Sequence, residues 1–165
     1  LDTLITDSFS VLLLEEKKIK LAAERFPLKP LIEEIYADNK ARYQTKNLSF
    51  AIETVSDPIE MRTDRALLKQ SLEKVLDNAF KYTAQGSVRA ILKVIPRRCI
   101  IEIIDSGSGF SVGDRKLAFT KFFHGSLSLY LAHRIIQLLK GTIVVSASSP
   151  SGTTVAIQLP KLNNI

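Results

Sequence analysis

The chain has 165 residues, 45% of them hydrophobic and 24% charged, which excludes an intrinsically disordered protein and suits one domain with a sizeable core. Its net charge is +6, but the basic residues are scattered and no aromatic side chains are interleaved with them, so we expect no nucleic-acid interface. The single cysteine, Cys99, excludes an intrachain disulfide, and no apolar stretch approaches the roughly 20 residues that span a bilayer, so we expect a cytoplasmic domain.

Residues 1 to about 17 form the first predicted element, an amphipathic helix whose apolar residues recur at spacings of three and four. The helix begins without a capping residue, so we expect it to be the end of a longer helix. Pro27 and Pro30 break the helical pattern, and a second helix with an apolar inward face is predicted after them. We therefore divide the chain into an N-terminal helical segment, residues 1–20, and a main domain, residues 21–165.

The middle of the chain predicts a hairpin followed by a long helix. Residues 48–52 alternate between apolar and polar or small side chains, and a short apolar segment follows at residues 59–61. We expect these segments to pair through a turn at Asp57–Pro58. Asp64 is a suitable N-cap for the long helix, which is expected to end near Tyr82.

The rest of the chain predicts four strands and two helices. The strands are expected at residues 88–94, 99–104, 142–147 and 153–159, and the helices at residues 114–123 and 127–139. Hairpin-like strand pairs interrupted by helices predict an α+β fold. We expect a two-layer α/β sandwich with a mixed, mostly antiparallel sheet and its helices on one face.

The end of the strand at residues 99–104 is the first candidate for a ligand site, because it runs directly into Asp-Ser-Gly-Ser-Gly-Phe at residues 105–110. A carboxylate there can accept a hydrogen bond from an exocyclic amine. Gly107 and Gly109 would let the backbone turn sharply and approach a flat ligand closely. The same sequence is also typical of an ordinary turn that ends a strand, so the segment alone leaves both interpretations open.

The C-terminal end of the long helix is the second candidate, because Asn78, Lys81 and Tyr82 lie within about one and a half turns. An amide oxygen can bind Mg²⁺, a lysine can contact phosphate, and a tyrosine ring can cover a base. A basic residue near a helix C-terminus also complements the helix dipole without any ligand. Neither interpretation is decided by this segment alone.

The two segments, in this order and about 25 residues apart, resemble the nucleotide-site boxes of the GHKL ATPase superfamily, and of sensor histidine kinases in particular. Residues 64–83 resemble the N box, residues 105–110 the first glycine box, and residues 119–123 the phenylalanine box. The segments that begin at Gly141 and Gly152 are similar to the closing strands. The resemblance covers about residues 28–160 and implies the Bergerat-type sandwich with ATP and Mg²⁺ as ligands.

The resemblance also implies a role for each site residue on the adenine side. Asp105 would accept a hydrogen bond from the adenine amino group, and Thr153 would support Asp105 through a water molecule. Gly107 and Gly109, in the same box as Phe110, would shape the floor of the pocket.

On the phosphate side, the family pattern implies that Asn78 holds Mg²⁺, Lys81 reaches the phosphates and Tyr82 lines the base. No catalytic nucleophile is expected among these residues. A histidine outside the chain would accept the phosphoryl group from ATP, because residues 1–20 resemble the end of the second helix of the dimerising phosphoacceptor hairpin. The implied partners are that phosphoacceptor domain in a homodimer and a response regulator.

Three positions depart from the family pattern. Lys74 stands where the family usually has a second asparagine, and Ser126 and Ser128 replace two glycines of the second glycine box. An ammonium group cannot bind a metal ion, although it could offset phosphate charge directly. The segment between Phe123 and Leu127, where the family has a lid, is also short. These departures leave open an alternative function, a degenerate kinase domain that serves as a docking module.

Overall fold

The computed structural model describes residues 2–15, 19–55 and 58–162. Its helices are α1 (Asp2–Glu15), α2 (Leu28–Asp38), α3 (Lys40–Tyr43), α4 (Arg65–Tyr82), α5 (Val112–Leu117) and α6 (Ser128–Leu138). Its strands are β1 (Ala23–Pro27), β2 (Ser49–Thr54), β3 (Glu60–Asp64), β4 (Ser87–Ile95), β5 (Arg98–Asp105), β6 (Thr142–Ser149) and β7 (Gly152–Pro160). Among the described residues, no helix combines the length and apolar character needed to cross a lipid bilayer.

Five strands form the main sheet in the order β2-β4-β5-β7-β6. The pair β2–β4 is parallel and the other three pairs are antiparallel, so the sheet is mixed and mostly antiparallel. In the register of β5 and β7, Asp105 lies opposite Thr153 at one edge of the ladder. This pairing brings the end of β5 and the start of β7 to the same end of the sheet.

The core lies between one face of the sheet and the helices α2, α4 and α6. Alternate residues of β4, β5 and β7 are fully buried, as expected for strands with one face against a helical layer. On the helical side, α4 packs against α6, and α1 packs on the outer side of α6. The predicted two-layer α+β sandwich is therefore confirmed.

A two-stranded sheet of β1 and β3 stands apart from the main sheet and corrects the predicted hairpin. The strand β3 pairs with β1, whereas β2 pairs with β4, so the segments on either side of residue 57 do not pair with each other. The proposed turn residue Asp57 lies outside the described residues. The strand β1 was missed because its sequence, Ala-Glu-Arg-Phe-Pro, buries only Phe26 and lacks a clear alternation.

The helix expected at residues 114–123 is shorter and begins earlier than predicted. The Ser111 hydroxyl accepts a hydrogen bond from the backbone N–H of Asp114 at 3.0 Å and caps α5, which ends at Leu117. The following chain turns repeatedly, and Phe122 and His124 adopt positive φ angles of 58° and 48°. Left-handed backbone is incompatible with a continued helix, which explains why the apolar periodicity was misleading here.

Asp64 fixes the start of α4 through two backbone contacts. One carboxylate oxygen accepts the N–H of Leu67 at 3.0 Å, as the sequence predicted for an N-cap, and the other accepts the N–H of Ala22 at 2.9 Å. Asp64 itself is buried, and both hydrogen bonds are partly buried. The same side chain therefore caps the central helix and holds the chain that leads into β1.

We expect Asp64→Ala to lower the free energy of unfolding by about 2 kcal/mol, because an N-cap is lost and the partly buried hydrogen bond from the Ala22 N–H is lost with it. Urea unfolding monitored by circular dichroism measures the change. Ser111→Ala is the matched control, because it removes the cap of the short and more exposed helix α5. Equal losses for the two variants would contradict a special role for the second contact of Asp64.

Candidate functional site

The last turn of α4 presents three of the expected site residues, Asn78, Lys81 and Tyr82. The Lys46 ammonium group fixes this turn by contacting the carbonyl oxygens of Phe80 at 3.1 Å, Lys81 at 2.6 Å and Thr83 at 3.3 Å. These carbonyls have no partner within the helix, so a cation placed there satisfies them and complements the helix dipole. Lys46 was not identified from the sequence, where no local pattern distinguishes it from other surface lysines.

A cleft of about 510 Å³ lies beside this turn, and Asn78, Lys81 and Tyr82 all line it. The opposite walls come from α1 and from the segment between Phe123 and Leu129. Cations and an aromatic ring around one cleft suit a ligand that carries both phosphate and a flat base. The structure thus brings together the residues that the sequence assigned to the phosphate side.

Arg42, Tyr43 and Asp77 also belong to the cleft wall and were missed in the sequence. The Asp77 carboxylate accepts two hydrogen bonds from the Arg42 guanidinium, at 3.0 and 3.1 Å, and one from the Tyr43 hydroxyl. Burial, followed by the contact with Asp77, raises the pKa of the Tyr43 hydroxyl well above its usual range. This network ties α3 to α4 and holds Asp77 away from the role of a metal ligand.

The adenine-side residues form a second group at the end of β5. Asp105 is half-buried, and its carboxylate accepts the backbone N–H of Gly107 at 2.9 Å. Burial raises the pKa of the Asp105 carboxyl, while hydrogen bonds from the backbone N–H groups of Gly107 and Thr153 oppose that shift. A desolvated carboxylate with an unused acceptor position is suited to recognise an amine.

None of Asp105, Gly107, Gly109, Phe110 and Thr153 lines the 510 Å³ cleft. The two groups are nevertheless neighbours, because a methyl group at Gly107 would lie only 2.5 Å from the carbonyl oxygen of Tyr82. Asn78, Lys81 and Tyr82 therefore line the cleft, whereas the group around Asp105 lies outside the cleft and contacts the backbone at the end of α4.

Aromatic rings connect the two groups. The ring centroids of Phe110 and Phe123 lie 5.8 Å apart, and the Phe123 ring stacks on the His124 ring with the centroids 4.0 Å apart. The rings of His124 and Tyr82 form an edge contact with a centroid distance of 6.3 Å. Phe110 is fixed at its backbone, where its N–H donates to the Ser148 hydroxyl at 2.7 Å. The short segment after Phe123 thus packs its side chains between the cleft and the residues around Asp105.

Gly107 and Gly109 serve close backbone contacts rather than an open floor. Gly109 has a φ of +74°, and a side chain there would collide with the carbonyl oxygen of Ser149 at 2.0 Å. At Gly107 a side chain would collide with the carbonyl oxygen of Tyr82. Both glycines therefore hold the turn after β5 against neighbouring backbone, which positions Asp105.

The two departures at Lys74 and Ser128 lie together at the α1 side of the cleft. The Lys74 ammonium forms an ion pair with Asp7 at 2.7 Å, and the Ser128 hydroxyl donates to the same carboxylate at 3.3 Å. Ser126 accepts the backbone N–H of Ser128 at 3.1 Å. Asp7 was not identified from the sequence, since nothing in the α1 pattern indicates a buried carboxylate.

The donor groups fit a nucleotide better than they fit a metal ion. Asn78 lines the cleft and offers an amide oxygen, but the side chain one turn before it is the Lys74 ammonium. Among residues 2–15, 19–55 and 58–162, no group of three or more His, Cys, Asp or Glu side chains could hold a metal. Mg²⁺ would therefore depend on Asn78 and on the phosphate oxygens of the ligand, which is compatible with its preference for phosphate and water ligands.

Residues 63–163 match the family model for the histidine kinase-, DNA gyrase B- and HSP90-like ATPases. The chain belongs to this ATPase family. Its matched part begins at the end of β3, includes α4 with Asn78 and extends through β7 with Thr153. The family model therefore covers both groups of the candidate site.

Individual relatives are sensor kinases. The autoinducer 2 sensor kinase/phosphatase LuxQ of Vibrio cholerae is 29% identical over 163 residues, which cover 89% of this chain and 19% of that protein. The solved histidine kinase AdeS of Acinetobacter baumannii has a TM-score of 0.84 and 26% identity, covering 95% of this chain and 76% of that one. Over most of its length, the chain is therefore similar to parts of sensor kinases.

A third relative supports the fold. Full-length ShkA, solved in complex with AMPPNP, superposes with a TM-score of 0.90 at 22% identity, covering 97% of this chain and 35% of that one. The ATPase chain described here spans about a fifth of the length of LuxQ and a third of ShkA. The arrangement of helices and strands, including α1, is thus shared with a larger kinase.

We expect Gly107→Ala to displace the end of α4 and to lower the free energy of unfolding by about 1–3 kcal/mol, the usual cost of overpacking. The colliding atom is a backbone carbonyl, which cannot rotate away. Thermal unfolding measures the effect. Gly113→Ala is the matched control, since its new methyl group would meet only the Ser111 hydroxyl at 3.9 Å, and an equal loss there would contradict the packing argument.

The pH dependence of stability should differ between the parent chain and Asp105→Asn. Because the folded-state pKa of Asp105 is raised, its stabilising contribution is complete below the unfolded pKa and is lost as the pH rises through the folded pKa. The parent should therefore lose stability relative to Asp105→Asn on going from acidic to neutral pH. Urea midpoints at several pH values test this, and a constant difference between the two chains would contradict the raised pKa.

Proposed function

We propose that this domain positions ATP so that its γ-phosphoryl group passes to a histidine outside residues 1–165. The observation that supports this most strongly is the contact between the two groups of the site, where Gly107 packs Asp105 directly behind Tyr82. A nucleotide whose base lies toward Asp105 and whose phosphates lie in the cleft would span a continuous path between them. The sensor kinases among the relatives agree with this activity.

Each residue would contribute binding or placement rather than covalent chemistry. Asp105 would accept from the adenine amino group, Tyr82 would cover the base, and Lys81 would contact the phosphates as a point charge. Asn78 would hold Mg²⁺, which supplies charge neutralisation between the phosphate oxygens. Asp105 in turn is oriented by the Gly107 N–H and, in our proposal, by a water molecule on Thr153.

The proposed reaction is a transfer to an external nucleophile. A histidine nitrogen of the phosphoacceptor domain attacks the γ-phosphorus, the bond to the oxygen that bridges the β- and γ-phosphates breaks, and ADP leaves with that oxygen. The histidines of this chain do not suit that role. His133 is half-buried within α6, where burial lowers its pKa, and His124 stacks on Phe123. Catalysis would rest on placement and on neutralising the phosphate charge.

The resemblance to sensor kinases also supports the partners that we propose. They are a phosphoacceptor helical hairpin, whose second helix would end with residues 1–20, a second copy of the full-length protein in a homodimer, and a response regulator. We propose a cytoplasmic location for the domain, compatible with a full-length protein anchored in a membrane.

Calorimetric titration with ATP and ADP, each with and without Mg²⁺, tests the function. We expect binding, and we expect Asp105→Asn to weaken it by about 10- to 100-fold, because a hydrogen bond to a charged acceptor is lost. Glu102→Gln is the matched control: it removes another carboxylate of β5, one that is paired with Lys93 at 2.6 Å away from the cleft.

Two results would contradict the proposal. Absence of binding at millimolar nucleotide would favour a docking module with an ATPase fold. Equal weakening by Asp105→Asn and Glu102→Gln would show that the base does not contact Asp105.

A further inference from the structure

Asp7 brings a buried carboxylate from α1 to the edge of the nucleotide cleft. Asp7 is only 2% exposed, yet it lines the cleft together with Thr3 and Leu4 of the same helix. The carboxylate contacts Lys74 at 2.7 Å and Ser128 at 3.3 Å. A carboxylate in this position requires strong partners, because burying an unpaired charge is very costly.

The two partners of Asp7 are groups that also suit an anionic ligand. Lys74 supplies a full positive charge from α4, and its side chain is only 15% exposed, so water screens the interaction weakly. Ser128 is the first residue of α6, an eleven-residue helix whose N-terminus has no side-chain cap. The backbone N–H of Ser128 donates to the Ser126 hydroxyl at 3.1 Å, so this helix start attracts anions through its dipole and through the Ser128 hydroxyl.

These two groups lie next to the proposed phosphate side. Lys74 is one turn before Asn78 on the same face of α4, and Ser128 lines the same cleft as Asn78 and Lys81. Lys74 itself does not line the cleft, but its ion-pair partner Asp7 does. The carboxylate oxygens of Asp7 therefore stand in for the oxygens of a ligand anion.

We propose that Lys74 and Ser128 form a subsite for nucleotide phosphate, and that Asp7 occupies this subsite whenever α1 is docked. This inference rests on the proposed nucleotide function, and it says that docking of α1 regulates nucleotide binding at the same site. Docking of α1 and binding of phosphate compete for one cation. By linkage, a bound nucleotide weakens the docking of α1 by the same factor by which docking weakens the nucleotide.

A second contact between α1 and the domain provides the control. Glu15 pairs with Lys121 at 2.7 Å and accepts from the Tyr130 hydroxyl at 3.0 Å, but it does not line the cleft. Asp7→Asn and Glu15→Gln each remove one negative charge from α1. Only the first of these substitutions frees Lys74.

The experiment is calorimetric titration of the 165-residue chain with ATP, ADP and adenosine. We expect Asp7→Asn to tighten ATP and ADP binding by at least about fivefold, the lower end of typical coupling between linked sites. Adenosine, which lacks phosphate, should bind equally to both chains. The double variant Asp7→Asn with Lys74→Met should lose the gain, and Glu15→Gln, which removes only an exposed docking contact, should tighten ATP and ADP binding clearly less than Asp7→Asn does. Thermal unfolding of each variant confirms that it is folded.

The outcomes separate this inference from the proposed function. Binding to the parent chain that Asp7→Asn does not tighten would overturn the inference alone, and so would an equal gain with Glu15→Gln or with adenosine. Binding that appears only in Asp7→Asn would support it. Absence of binding in every variant would overturn both the inference and the nucleotide function.

Discussion

The last turn of α4 is fixed from two sides, and the geometry of the candidate site depends on that fixed position. The Lys46 ammonium binds three of its terminal carbonyl oxygens, and Gly107 allows the turn after β5 to contact the Tyr82 carbonyl. The side chains assigned to metal, phosphate and base all project from this turn. A displacement of its backbone would move all of them together, so backbone contacts, more than any one side chain, position the site.

The elements that were predicted correctly are those whose pattern is local. The helix α4 has an N-cap, an apolar stripe and a clear end, and the strands β4, β5 and β7 each alternate over at least seven residues. The hairpin at Asp57–Pro58 failed because proximity in sequence was taken for pairing in space. The burial of Met61 and Thr63 instead favours pairing of β3 with β1, and the latter has no alternation to reveal it.

For the site, the sequence identified residues by type and order, but it did not give their distances. The group around Asp105 and the group at the end of α4 are neighbours through Gly107, as the resemblance led us to expect. The contacts of the Phe110, Phe123 and His124 rings that connect the two groups were not predicted, because they depend on the left-handed turn after α5. Lys46 and Asp7 also escaped prediction, since each acts on a helix that is distant in the chain.

Asp7, Lys74 and Ser128 lie far apart in the sequence but form one connected polar contact, so the cost of burying each charge depends on the presence of the other. Replacing the family's asparagine with Lys74 alone would leave a cation almost buried in the domain, and Asp7 alone would be a buried carboxylate without a partner. Either one would cost several kcal/mol, whereas the ion pair compensates both charges and the Ser128 hydroxyl donates to one of the two carboxylate oxygens. The departures at Lys74 and Ser128 are therefore poorly described as two independent losses from a nucleotide site. They form one polar contact that joins the preceding helix to α4 and α6 at the edge of the cleft.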